Sequence, residues 1–176
     1  MKSSIVPGRM TARIEGDFVV FLIGARINRA TAVRSWLPVV RAMPRMIAEL
    51  HANPALGLLG MQTARTSWRD ILMVQYWRSF EHLHAYARDR SAEHLPAWAE
   101  YNRLLRNNDA VGIWHETFLV RAGEYEAIYG NLPARGLGLA GTLEPAAGTR
   151  NSALGRLGRG AGSDLPVTRE GALETV

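Results

Sequence analysis

Two segments of this chain of 176 residues predict β-strands that are apolar on both faces. The first is FVVFLIGARI, residues 18–27, and the second is AVGIWHETFLV, residues 110–120. Because successive side chains of a strand point to opposite faces, an apolar residue at nearly every position makes both faces of the strand apolar. A sheet made from such strands must be covered on both sides.

The order of the predicted elements indicates that helices cover one face of this sheet. A strand at 18–27 is followed by a helix at 31–51, strands at 56–63 and 71–77, a helix after Ser79, a second helix near His94, and the strand at 110–120. This order is the split β-α-β pattern of an α+β, ferredoxin-like fold with a four-stranded antiparallel sheet. Helices can cover only one face of that sheet. We therefore predict that a second copy covers the other face, which gives a homodimer, a dimeric α+β barrel that encloses a pocket.

The two ends of the chain differ from this middle part. Residues 1–16 contain Pro7, Gly8 and Gly16 without a period and are predicted to be an irregular N-terminal arm. Residues 17–141 form the predicted barrel domain, in which 122–141 is a loop or short helix packed over the domain. Residues 142–176 are rich in Gly, Ala and Arg with few large apolar side chains, a composition that predicts a disordered tail.

Composition excludes several classes of function. The chain has no cysteine, which excludes disulfides, thiolate zinc sites and cysteine nucleophiles. Its net charge of +5 comes from arginines that are scattered singly, whereas a nucleic-acid interface needs a basic stripe with aromatic residues, so we expect no nucleic-acid partner. The longest apolar run is too short to span a membrane and the N-terminus lacks a signal-like apolar core, so we expect a cytoplasmic protein without a membrane contact.

The candidates for catalytic or ligand-binding residues are polar side chains at a helix start, on a strand that is covered on both faces, and at a strand end. His94 lies where a helix should begin before Pro96, either as a capping residue or as a projecting catalytic or ligating side chain. His115 and Glu116 are neighbours on a strand with two covered faces, so each needs a partner, which a structural hydrogen bond could supply. They point to opposite faces and could not share a metal ion without a bulge, so no metal site is predicted. Arg26 ends one apolar face and either extends into solvent or points into a pocket.

Three stretches of the chain resemble a known family. They are YWRSFEHLHAYARDRSAEHLPAW, VGIWHETFLV and GEYEAIYGNLP, and the resemblance covers about residues 18–141. The family is monooxygenase-like, is related to the antibiotic-biosynthesis-type monooxygenase of the fumagillin pathway, and lies in the dimeric α+β barrel superfamily. That superfamily includes cofactor-independent oxygenases and haem-binding proteins. The resemblance implies a buried pocket for a small hydrophobic molecule, with these pocket candidates: Trp77, Tyr86, Trp98, Tyr125, Tyr129 and Asn131.

These observations lead to three hypotheses for function. The first is an oxygenase that needs neither metal nor flavin, with His94 or His115 as base and Arg26 or Tyr129 as hydrogen-bond donor. The candidate catalytic set is His94, His115, Glu116 and Arg26. The second hypothesis is haem binding, with His94 or His115 as the axial ligand. The third is a non-catalytic protein that binds a hydrophobic small molecule.

Overall fold

The computed structural model describes residues 4–89, 109–160 and 162, and it has a ferredoxin-like α+β fold. Four antiparallel strands form the main sheet: β2 Phe18–Ile27, β3 Leu58–Arg65, β4 Asp70–Trp77 and β5 Val111–Val120. Their order in the sheet is β3-β4-β2-β5, which places the apolar strands β2 and β4 in the centre. The predicted fold class is confirmed, and each predicted strand of this sheet is present within two residues of its expected bounds.

Two helices lie in the described part of the connections between these strands. Helix α1 is Val33–Ala52, and it runs unbroken through Pro44, so a split at this proline does not occur. Twenty residues with an amphipathic pattern support a helix that lacks two internal hydrogen bonds, at Pro38 and Pro44. Helix α2 is Phe80–Arg88, and its cap is the predicted Ser79, whose hydroxyl accepts a hydrogen bond from the backbone N–H of His82 at 3.4 Å. No helix in the described ranges is long and apolar enough to cross a bilayer.

The main sheet carries a core cluster on each face. On the face toward α1 and α2, here called the helix face, the buried residues are Val19, Leu50, Trp77, Leu83 and Tyr86. On the opposite face, a second cluster contains Ile14, Phe18 and Tyr76, with residues from 120–140 packed against it. The chain therefore covers one end of the opposite face itself, in part with the segment 122–141, which the sequence analysis expected to pack over the domain.

Most of the covering residues lie in segments next to the strands of a second, three-stranded antiparallel sheet. Its strands are β1 Val6–Arg13, β6 Tyr129–Leu132 and β7 Thr142–Pro145, in the order β6-β1-β7. The prediction of an irregular arm is wrong for β1. Pro7 and Gly8 interrupt the pattern because the register of β1 against β6 shifts between Val6 and Arg9, and Gly8 adopts a φ of +86°.

The prediction that the chain is disordered from Thr142 onward is also wrong for its first part. After β7 the chain forms a 3₁₀-helix, Gly148–Asn151, and a short helix α3, Ala153–Arg156. The Arg156 side chain, only 4% exposed, pairs with Glu126 at 2.7 Å. It also donates hydrogen bonds to two backbone carbonyls of the 3₁₀-helix. An ion pair thus helps to anchor a segment with few large apolar residues. The division into arm, domain and tail stays a prediction, and residues 163–176 lie outside the described residues.

Candidate functional site

The helix face brings together two of the predicted pocket residues, Trp77 and Tyr86. Trp77 is the last residue of β4 and is fully buried, and Tyr86 lies on the inner side of α2. Their ring centroids are 5.6 Å apart at an interplanar angle of 35°. The Tyr86 hydroxyl donates a hydrogen bond to Glu49 of α1 at 3.0 Å, so α1, α2 and the sheet meet at these two rings.

Beside them lies a polar residue that the sequence analysis did not identify. Gln75 is only 6% exposed, and its Oε1 accepts a hydrogen bond from the Trp77 indole N–H at 2.9 Å. This bond fixes the amide orientation and turns the NH2 group away from Trp77. That NH2 group donates to none of the residues that the structure describes. A single glutamine inside the apolar strand ILMVQYW was the available sequence signal, because buried amides are rare without a specific partner.

His115 lies on the same helix face, at the edge strand β5. It is opposite Ile23 of β2, and its ring centroid is 5.5 Å from that of Phe21. Phe21 packs against the core cluster of Trp77 and Tyr86 and so connects His115 with that cluster. His115 itself is exposed. The structure therefore places one candidate base at the rim of the apolar surface formed by the helix face.

The remaining described candidates do not join this cluster. Glu116 is opposite Leu22 and faces the other side of the sheet, as the alternation along β5 predicts. The Tyr125 hydroxyl accepts from the Ile14 N–H and donates to the Ile14 carbonyl, at 2.6 and 3.0 Å. Asn131 has a φ of +50°, and its Oδ1 accepts from the Gly8 N–H at 2.9 Å. Tyr125 and Asn131 thus join the second sheet together, a role that their hydrogen bonds explain without a ligand.

Arg26 has a partner of its own at the end of the main sheet. Its Nη1 lies 2.8 and 2.9 Å from the two carboxylate oxygens of Asp70, the residue opposite it on β4. The Ser67 hydroxyl and the Arg26 guanidinium hold the pKa of the Asp70 carboxyl below its usual value. The Asp70 carboxylate thus balances the positive charge of Arg26. The catalytic role of Arg26 stays a prediction.

Tyr129 lies on the opposite face of the sheet, close to Tyr76, a residue that the sequence analysis did not identify as part of a site. A methyl group built on Gly136 would lie 3.3 Å from the Tyr76 hydroxyl oxygen and 3.9 Å from that of Tyr129. The Gly136 N–H donates to Oε1 of Gln62 at 3.2 Å, and the Gly138 N–H donates to the Tyr129 hydroxyl at 3.1 Å. Burial raises the pKa of both phenols, so both remain protonated at neutral pH. The sheet separates this group from His115.

Two predicted residues, His94 and Trp98, lie outside the described residues. Within the described ranges, no three side chains of His, Asp or Glu lie close enough to hold a metal ion together. The structure thus presents two separate polar groups of side chains, one on each face of the main sheet.

Comparison with known proteins identifies the family. Residues 18–137, more than half of the chain, match the model of the family described as Monooxygenase af470-like. The chain belongs to this family. Monooxygenase af470 from Aspergillus fumigatus is 31% identical over 150 residues, which cover 73% of this chain and 52% of that protein. This member of the Monooxygenase af470-like family thus spans about half the length of that curated relative.

Solved structures support the fold. An aldoxime dehydratase crystallised in complex with butyraldoxime aligns with a TM-score of 0.66 at 16% identity, over 80% of this chain and 42% of that chain. At this identity the likeness shows the fold alone. A cofactor-independent oxygenase from Streptomyces nogalater, SnoaB, aligns with a TM-score of 0.43 at 15% identity, over 60% of this chain and 94% of that chain. That similarity is too low to support an argument about function.

Proposed function

We propose that the chain is a monooxygenase that oxidises a small, apolar, electron-rich substrate on the helix face of its main sheet. The reaction we propose needs no metal or flavin, because the substrate supplies all the electrons. A base removes a proton from an activated CH2 group, and the carbanion transfers one electron to dioxygen. The two radicals combine to a peroxide, which loses a second C–H proton and expels hydroxide, leaving a C=O group and water.

The observation that carries this proposal is the buried amide of Gln75. A carbanion next to a carbonyl places negative charge on an oxygen, and a preorganised donor in a dry site stabilises that charge. The Gln75 NH2 group meets this requirement: it is buried, it is oriented by the Trp77 indole, and it has no acceptor in the described part of the chain. A nearby apolar surface, formed by Phe21, Trp77 and Tyr86, excludes water from such a site.

His115 is the described candidate for the base. Gln75 lies opposite Phe21 on β2, and His115 lies on the far side of β2, opposite Ile23. Strand spacing and rise put the two Cα atoms about 12 Å apart. The Gln75 and His115 side chains thus lie on the two sides of Phe21, on the same face of the sheet. His94, which is predicted to lie at the start of a helix and is outside the described residues, remains the alternative base.

A homodimer is part of the proposal. On the face opposite the helices, Trp114 and Phe118 of β5 are 45% and 49% exposed. Each large apolar side chain left in water forgoes roughly 1.5–3 kcal/mol of burial free energy. The uncovered part of the sheet supports a contact with a second copy there. Analytical ultracentrifugation of the wild type should give twice the chain mass, and Phe118→Glu should shift the equilibrium to monomer; a monomeric wild type would contradict the proposal.

The test of the reaction uses anthrone, a tricyclic ketone with an acidic CH2 group. One anthrone and one dioxygen give one anthraquinone and one water, so an oxygen electrode and the quinone absorbance should report equal amounts. We expect Gln75→Leu to lower kcat by about 10²–10³-fold, the effect of removing one oxyanion donor. Replacing the base, by His115→Ala or His94→Ala, should lower it by about 10²–10⁴-fold.

The matched control for the histidine variants is His84→Ala. His84 is exposed on α2 and stacks on Phe80 at 5.7 Å, outside the proposed site, so its replacement should leave turnover unchanged. Unchanged turnover in Gln75→Leu would refute the role of the amide. A Soret band that appears on addition of haem and shifts in a histidine variant would favour the haem hypothesis. Binding of anthrone without oxygen uptake would favour a non-catalytic binding protein.

A further inference from the structure

The phenol of Tyr76 is a buried polar group that has no hydrogen-bond partner among the described residues. Tyr76 lies in β4 on the sheet face opposite the helices and is only 8% exposed. Its hydroxyl makes no hydrogen bond to any residue that the structure describes. Such a group costs about 1–3 kcal/mol when it is left unsatisfied, so a hydroxyl kept in this state points to a ligand that completes it.

Tyr129 and Gln62 supply two more hydrogen-bond donors near the Tyr76 hydroxyl. The Tyr129 oxygen already accepts from the Gly138 N–H, so its own proton is available to donate. The Oε1 atom of Gln62 already accepts from the Gly136 N–H, which leaves its NH2 group as a donor beside Gly136. Neither of these donors has an acceptor within the described ranges.

The Tyr76 and Tyr129 hydroxyls both lie next to Gly136, on the side where another residue would carry its side chain. The φ of Gly136 is +54°, a conformation that favours glycine, and the missing side chain would point toward the Tyr76 and Tyr129 hydroxyls at 3.3 and 3.9 Å. Around this spot the surface is apolar, with Val20, Val74 and Leu137 in the neighbouring cluster. The Glu126 carboxylate, which also raises the pKa of Tyr129, is paired with Arg156. Three neutral donors that lack an acceptor among the described residues are suited to an oxygen atom that carries negative charge on an apolar body.

We propose that Tyr76, Tyr129 and Gln62 form a second ligand site, which binds the oxygen of a phenolate or enolate of a small aromatic molecule. The site lies on the face of the sheet opposite the proposed catalytic site and does not depend on it. Both phenols keep their protons at neutral pH, because burial raises the pKa of each, and so both can donate.

The test uses 4-nitrophenol, whose ionised form is coloured, as the probe. Titration of the wild-type protein, followed by phenolate absorbance, should show saturable binding and a rise in Tm. Tyr76→Phe removes one hydrogen bond to a charged acceptor, so we expect the dissociation constant to increase by roughly 10–150-fold. The control is His84→Ala, a change on the exposed side of α2 outside both proposed sites, which should bind the probe as the wild type does.

A second measurement uses the protein without probe. Because the Tyr76 hydroxyl has no partner to lose in the part of the chain that the structure describes, Tyr76→Phe should leave the Tm equal or raise it. A lower Tm would show that the hydroxyl already has a partner inside the protein and would overturn the proposal. It would equally be overturned if the wild type failed to bind the probe, or if Tyr76→Phe bound it unchanged. Loss of anthrone turnover in Gln75→Leu is independent of these results, so failure of either proposal can be recognised separately.

Discussion

Replacement of Gly24 by alanine tests how closely the indole of Trp114 packs on the main sheet. A methyl group at Gly24 would lie 2.4, 2.5 and 2.7 Å from the Nε1, Cε2 and Cζ2 atoms of the Trp114 ring. Ordinary carbon contacts are about 3.5–4.0 Å, so the ring must move by roughly 1 Å or swing away from the sheet. Overpacking of this kind costs about 1–3 kcal/mol. The loss of glycine flexibility returns about 0.4–1 kcal/mol, because the unfolded chain has fewer conformations.

We therefore expect Gly24→Ala to lower the free energy of unfolding by about 0.5–2 kcal/mol, which is a fall in Tm of about 1–8 °C for a chain of this size. In a Trp114→Ala background the obstacle is gone, and the same change should stabilise the protein by about 0.4–1 kcal/mol. Urea unfolding followed by far-UV circular dichroism at one protein concentration measures the change in the free energy of unfolding in both backgrounds, without relying on the tryptophan signal. If Gly24→Ala has the same sign in both backgrounds, the close packing of the indole on Gly24 is refuted.

Two further predictions concern charged groups. The pKa of Asp70 is lowered by the Ser67 hydroxyl and by the guanidinium paired with it, so its contribution to stability is present above the unfolded pKa near 3.8 and is lost as the pH falls through the lower folded pKa. Asp70→Asn should therefore flatten the fall of Tm in this acid range, and an unchanged acid profile would contradict the assignment. Glu126→Gln leaves the buried Arg156 guanidinium without its carboxylate and should accelerate amide hydrogen exchange in α3, measured by mass spectrometry. Glu124→Gln, at an exposed residue of the same loop, is the control, and equal exchange in both variants would show that the ion pair does not anchor the segment.

The main sheet and its helices could be predicted from local patterns. The apolar run of β2 and the serine before α2 are features that a chain expresses within a few residues, and both are confirmed. The opposite orientations of His115 and Glu116 follow from strand alternation and agree with the register of β5. The family resemblance, which rested on motifs in the same part of the chain, is confirmed by the match over residues 18–137.

The second sheet could not be predicted because β6 and β7 have only four residues each, β1 contains Pro7 and Gly8, and β1 pairs with both partners across more than a hundred residues. A segment such as β7, with four residues, carries no periodicity that distinguishes it from a loop. The roles proposed for Gln75 and Tyr76 could not be predicted from the sequence either. Their importance depends on whether a neighbour satisfies their hydrogen bonds, and only coordinates can show that.

The amino-acid sequence by itself determined the α+β class, the positions of the main strands and helices, and the family, because these depend on short-range alternation, capping and motifs. The tertiary structure alone decided which polar groups are buried and which of them have partners. The Trp77 indole donates to Gln75, the Arg26 guanidinium pairs with Asp70, and the Tyr125 hydroxyl donates to the Ile14 carbonyl. The Tyr76 hydroxyl has no hydrogen-bond partner within the described ranges. Hydrogen bonds between residues distant in sequence have no local pattern, since their geometry is set by the packing of the sheets.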